Sequence, residues 1–109
     1  MNRARKFYEG TLGLVKAVHT EKEGFTWVEY NVGNSTLGLG SGMPDWKASE
    51  GGGCVAFEVE NFDDAVTTLK KAGSKFKLDP FETPVCHMAV VLDPDGNSVM
   101  IHKCKPGHV

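Results

Sequence analysis

The sequence predicts an α+β protein built from two similar halves. Three observations carry that expectation. Short runs of β-branched and aromatic residues are punctuated by many of the 13 glycines, the pattern of strands joined by tight turns. Two other segments carry apolar residues at helical spacing. The pattern also repeats: Ala4 recurs as Ala65, and Gly33-Asn34-Ser35 as Gly96-Asn97-Ser98, an offset of about 60 residues. At 109 residues, 40% hydrophobic and 24% charged, the chain is sized for one domain.

Residues Asn2 to Glu9 read as a helix, with Ala4, Phe7 and Tyr8 as one apolar stripe and Gly10 placed to end it. Val15 to His19 is short and rich in β-branched residues, a strand. Phe25 to Val32 alternates and is the clearest strand of the first half. Gly33-Asn34 supplies a two-residue turn into Ser35 to Leu39. From Gly40 to Gly53, Gly, Ser, Pro and Asp occur without a period, which marks the one long loop.

The second half opens with an alternating strand, Cys54 to Glu60. Asn61 is placed to cap a helix over Phe62 to Ala72, whose inner face is Ala65, Val66, Leu69 and Ala72 and whose end is Gly73. Strands follow at Lys75 to Leu78 and Met88 to Leu92, and Asp93-Pro94-Asp95-Gly96-Asn97 turns the chain into Ser98 to Lys103. The two modules cover about residues 1–42 and 53–105. By the repeat, the first module lacks the strand that opens the second; it would precede Met1.

Composition removes several classes. Twelve Lys and Arg against 14 Asp and Glu give a formal charge of −2, so no basic face is expected for nucleic acid. The apolar stretches fall short of a membrane span and no secretory leader opens the chain, so no membrane partner and a cytoplasmic location are expected. Cys54, Cys86 and Cys104 form neither a disulfide framework nor a C-x-x-C pair.

Ala4-Arg5-Lys6-Phe7-Tyr8-Glu9-Gly10-Thr11-Leu12-Gly13-Leu14 resembles the first-helix signature of the vicinal oxygen chelate superfamily, which includes glyoxalase I, bleomycin-resistance proteins and extradiol dioxygenases. Asp93-Pro94-Asp95-Gly96-Asn97 is similar to the late turn of that family. The resemblance implies paired βαβββ modules forming an open curved sheet around a cleft, here with the first module lacking its opening strand. It also implies pairing of modules within or between chains, often as a homodimer, and a divalent metal held by His and Glu from the first and last strands of each module. On this chain those positions fall at Gly38, Cys54 and Met100, with the fourth in the strand that would precede Met1. Gly offers no donor, and Met is a soft ligand unsuited to hard divalent ions. No metal and no cofactor are therefore expected at the usual place. A makeshift set from His87, His102, Cys54 or Glu58 is the alternative.

Strand parity then sorts the side chains. The Gly33-Asn34 turn sets Glu29 opposite Gly38 and Trp27 opposite Gly40, leaving Val28, Tyr30, Leu37 and Leu39 for the helix side. A four-residue loop, Pro94 to Asn97, would pair Val91 with Met100 and Ala89 with His102. His87, Ala89, Val91, Met100 and His102 would then share the cleft face with Cys54, Ala56 and Glu58. The candidate ligand-binding residues are Trp27, Glu29, Cys54, His87, Met100 and His102. One large aromatic, several small or soft residues and a few polar groups suit a small hydrophobic or aromatic organic molecule. A metal-dependent lyase or dioxygenase-like enzyme, and a protein-interaction module using an open sheet edge, are the competing expectations.

Overall fold

The computed structural model describes residues 1–42, 44 and 47–107, so part of the expected Gly40–Gly53 loop lies outside the described residues. The chain divides into two units, Met1–Ala48 and Ser49–Val109, each with its own sheet.

In the first unit, α1 (Asn2–Arg5) runs directly into a π-helical stretch, Lys6–Thr11. Gly10 is thus inside the helical segment and does not end it, contrary to the sequence expectation. The wider π turn takes up extra residues, and the stop moves to Gly13, in the left-handed region at φ 72°. There the Leu14 N–H donates back to the Tyr8 carbonyl at 2.9 Å. Ala4, Phe7 and Tyr8 are buried, as the stripe predicts.

Three antiparallel strands follow in the order β1 (Val15–Lys22), β2 (Phe25–Val32), β3 (Ser35–Ser41). β1 is longer than expected because Glu23 and Gly24 both take positive φ, 52° and 82°. That is the type I′ pattern, which lets strand pairing run to the turn, with Lys22 opposite Phe25. At the next turn only Gly33 is positive, the type II′ pattern. β1 is exposed along its whole length and its register slips between Lys16 and Val18. Val28 and Tyr30 of β2 are fully buried, and the Tyr30 ring stacks on Tyr8 at 6.2 Å.

The second unit is β4 (Val55–Glu58), α2 (Phe62–Lys71), β5 (Lys75–Glu82), β6 (Cys86–Leu92) and β7 (Ser98–Cys104). The sheet order is β4-β7-β6-β5, with β4 parallel to β7 and the other pairs antiparallel. This is one complete βαβββ module. Asn61 caps α2 by accepting the Asp64 N–H at 3.0 Å, and Gly73 at φ 78° ends it. Val66 and Leu69 of α2 are buried, as are Ala89, Val91, Val99 and Ile101 on β6 and β7, the strands that α2 packs against. Burying aliphatic side chains of this size stabilises by about 1.5–3 kcal/mol each.

The β6–β7 register differs from the expectation by one position. Val91 pairs with Val99 and Val90 with Met100; Ala89 pairs with Ile101 and Met88 with His102. The cause is the turn. Asp93 and Asn97 close a three-residue loop in which the Gly96 N–H donates to the Asp93 carbonyl at 3.0 Å and Gly96 itself sits at φ 92°. A left-handed residue after such a turn forms a bulge and shifts the pairing by one. The buried Asp93 carboxylate locks it, accepting the Asp95 and Asn97 N–H groups, each at 2.9 Å. β5 is also longer than the expected Lys75–Leu78. It is an edge strand, where Pro80 removes no required ladder bond, and its register slips on either side of Leu78.

Candidate functional site

On β2, side-chain alternation separates the helix face from the opposite face as expected. Val28 and Tyr30 go under the helix; Trp27 and Glu29 go to the other side, opposite Gly40 and Gly38. The Trp27 indole N–H donates to Glu29 Oε2 at 2.7 Å, and Phe25 stacks on the indole at 6.4 Å between ring centroids. The indole lies across Gly38. A Cβ placed on Gly38 would meet Trp27 Cζ2 at 2.5 Å, so no larger residue fits there with the ring in place. The result is an aromatic platform with a carboxylate fixed at its edge.

Behind this platform, on the helix side, Glu9 of the π-helical stretch accepts from Arg5 Nε at 2.8 Å and from the Tyr30 hydroxyl at 2.9 Å. The Arg5 guanidinium foremost, and the phenol after it, hold the Glu9 carboxyl below its usual range against the opposing cost of burial. Burial, then the bond to Glu9, pushes Tyr30 up to about 12. This trio joins helix to sheet.

In the second unit the corrected register reassigns the faces. Val91, Ala89 and His87 share the helix side with Val99 and Ile101, and His87 lies 5.5 Å from the Phe62 ring of α2. His87 therefore does not share a face with Met100 and His102. The opposite face carries Met88, Val90, Met100 and His102, continued by Ala56 and Glu58 on β4 and by Leu78 and Phe81 on β5. Leu78 and Phe81 are 45% and 39% exposed, an apolar strip open enough to cover a ligand. Cys54 lies just before β4 and is exposed.

At one end of that face, His102 Nδ1 donates to Glu58 Oε1 at 2.6 Å and the Cys104 N–H donates to Glu58 Oε2 at 2.8 Å. The His102 bond foremost and the Cys104 amide after it hold Glu58 below the usual carboxylate range. Burial and then the Glu58 charge push the Cys104 thiol up. Cys104 was not among the sequence candidates. Its signal was simple: it lies two residues after His102 on one strand, hence on the same face.

The metal positions implied by the family resemblance can be tested on these side chains. Gly38 has no donor, and the indole fills the space one would need. Met100 offers a thioether, and Cys54 alone cannot hold an ion. None of Gly38, Cys54 and Met100 supplies the His or Glu donor that the resemblance calls for.

A family model described as Glyoxalase/Bleomycin resistance protein/Dioxygenase superfamily matches residues 1–101. The chain is 30% identical over 112 residues to the anthracycline biosynthesis protein DnrV of Streptomyces peucetius, covering 96% of this chain but only 38% of that one. Among solved structures, a glyoxalase-family protein from Bacillus anthracis is 26% identical with a TM-score of 0.78, covering 95% of this chain and 84% of that one. The trypanothione-dependent glyoxalase I of Leishmania major is 25% identical with a TM-score of 0.76, covering 94% and 78%. TnmS3, an antibiotic binding protein from Streptomyces sp. CB03234, shares the fold at 20% identity and a TM-score of 0.75, covering 95% and 86%. The matched span takes in the signature around Phe7-Tyr8 and the late Asp-Pro-Asp-Gly-Asn turn, and the chain belongs to the Glyoxalase/Bleomycin resistance protein/Dioxygenase superfamily.

Proposed function

We propose that the protein binds a small, largely apolar and aromatic molecule without a metal at the family's usual position. The observation that carries this reading is the Trp27 platform over Gly38. Where the family resemblance would place a metal ligand, this chain has a glycine whose space is taken by an indole held by Glu29. A flat aromatic face with one fixed carboxylate suits stacking with a fused-ring guest that carries a hydrogen-bond donor or a cation. The apolar strip of Leu78, Phe81, Met88 and Met100 supplies a second surface of the same chemistry. Support also comes from relatives: one is named for anthracycline biosynthesis and one solved neighbour for antibiotic binding. The chain spans about two-fifths of that curated relative's length, so any activity of the longer protein stands as a proposal only.

The same reading includes a homodimer. β3 has a strand on one side only among the described residues, whereas β7, its counterpart in the repeat, is paired on both sides. A second copy that covers the open edge of β3 removes that row of unpaired groups. Light scattering at twice the chain mass is the expected result.

The deciding experiment uses chelator-treated protein and a panel of anthracyclines and other fused-ring aromatics, read by thermal shift and equilibrium dialysis. A guest at a hundred times its Kd stabilises the fold by about 2.7 kcal/mol. At least one panel member is expected to raise the melting temperature, and Trp27→Ala to abolish the rise. Failure of the whole panel, or binding that appears only when a divalent ion is added, overturns the reading.

A further inference from the structure

We propose that Glu58, His102 and Cys104 form a binding site for a zinc-class divalent ion, separate from the family's usual metal position. These three residues are the group of ligating side chains that the described residues bring together, with one donor atom from each lying within 4.8 Å of the others. The placement follows from the ladder. β4 runs parallel to β7 with Glu58 directly opposite His102, and Cys104 follows His102 by two residues on the same face. Three donors from two adjacent strands therefore converge at one end of the sheet. Gly38, Cys54 and Met100, the positions tested above, contribute nothing to it.

The donor set is selective. A thiolate, an imidazole and a carboxylate together match zinc or cobalt, whereas calcium and magnesium prefer oxygen alone. Zinc bonds of about 2.0–2.3 Å in tetrahedral geometry need donors roughly 3.3–3.8 Å apart. The donors lie within 4.8 Å of one another, so binding requires that the 2.6 Å Glu58–His102 pair open and that any longer separation close by about 1 Å. Glu58 is already oriented, since its other oxygen is held by the Cys104 amide. The Glu58 side chain is 50% exposed and that of His102 25%, so an ion can enter from solvent. Binding displaces the Cys104 thiol proton to solvent, while the neutral His102 imidazole offers its unprotonated nitrogen and keeps one N–H on the other. Three protein donors leave a fourth position for water or an exogenous ligand, the arrangement of an open site. Cys86, the cross-strand partner of Cys104, is buried with its sulfur 3.2 Å from the Thr83 hydroxyl and stands outside the set.

The test is a titration of reduced, metal-free protein with cobalt(II), followed by displacement with zinc(II). One equivalent is expected to bind per chain and to give a near-ultraviolet thiolate-to-cobalt charge-transfer band that zinc removes. Cys104→Ser should abolish the band, and Glu58→Gln and His102→Ala should each weaken binding by about tenfold or more. Cys54→Ser and Cys86→Ser should keep the band, and circular dichroism reports whether each variant is folded. Absence of a band in the wild-type chain overturns the site, as does a band that survives Cys104→Ser. Organic-guest binding is measured in chelator-treated protein, so the two proposals fail independently.

Discussion

The two units run the chain along the same path and hold their helices by different chemistry. In the second, α2 sits on aliphatic side chains: Val66 and Leu69 are buried along with Ala89, Val91, Val99 and Ile101. In the first, aromatic packing of Phe7, Tyr8 and Tyr30 is combined with the Arg5–Glu9–Tyr30 polar tie. The π-helical turn carries Glu9, and such insertions often mark specialised positions. On the opposite faces the contrast recurs. Gly38 and Met100 hold matching places in the repeat, yet one makes room for an indole while the other lies in an apolar strip. A repeated backbone thus constrains where side chains point and leaves free what they do.

That contrast can be broken from either side. Leu69→Ala in the aliphatic unit should have the largest effect, a loss of about 3 kcal/mol, with the midpoint of a denaturant titration as the readout. Tyr30→Phe in the aromatic unit should cost about 1–2 kcal/mol, since the Glu9 carboxylate loses a donor in a partly buried place. Asn61→Ala should cost about 1 kcal/mol through the lost cap of α2. Gly38→Ala should change stability least and still dislodge the indole, visible as altered tryptophan fluorescence and weakened guest binding, with Met100→Ala leaving the indole signal in place.

The polar tie adds a pH signature that the aliphatic core cannot produce. Tyr30 keeps its proton more firmly in the fold, at about 12, than in the unfolded chain. Its contribution is complete below the ordinary phenol range near 10 and is lost as pH rises from about 10 to about 12. Glu9 is shifted downward, so its contribution is present above the ordinary carboxyl range and is lost as pH falls through the lowered value. Thermal unfolding across pH should show both arms in the wild type, and Tyr30→Phe should flatten the alkaline one.

Much of the fold was legible. The Gly33-Asn34 turn and the alternation of β2 gave the β2–β3 register and placed Trp27 and Glu29 opposite Val28 and Tyr30. Asn61 and Gly73 bracketed α2. The errors share a cause. Gly10 and Gly96 were treated as local punctuation, whereas one is taken into a widened helix and the other forms a bulge that shifts a whole ladder by one residue. That single shift moved His87 off the face of His102 and put Met88 and Val90 there instead. Glu58 and His102 survived it because parity along β4 and β7 was read correctly. Cys104 has no local signal of a site role, because its significance depends on Glu58, a residue distant in sequence and adjacent in the sheet.

The Trp27–Gly38 contact has an evolutionary corollary. A mutation supplying a carboxylate at 38 would arrive together with a displaced ring, because the two side chains compete for one volume. A lineage moving between these arrangements gives up the indole's seat in the same step that brings the new side chain. Such mutual exclusion keeps two uses of one position apart on a shared scaffold.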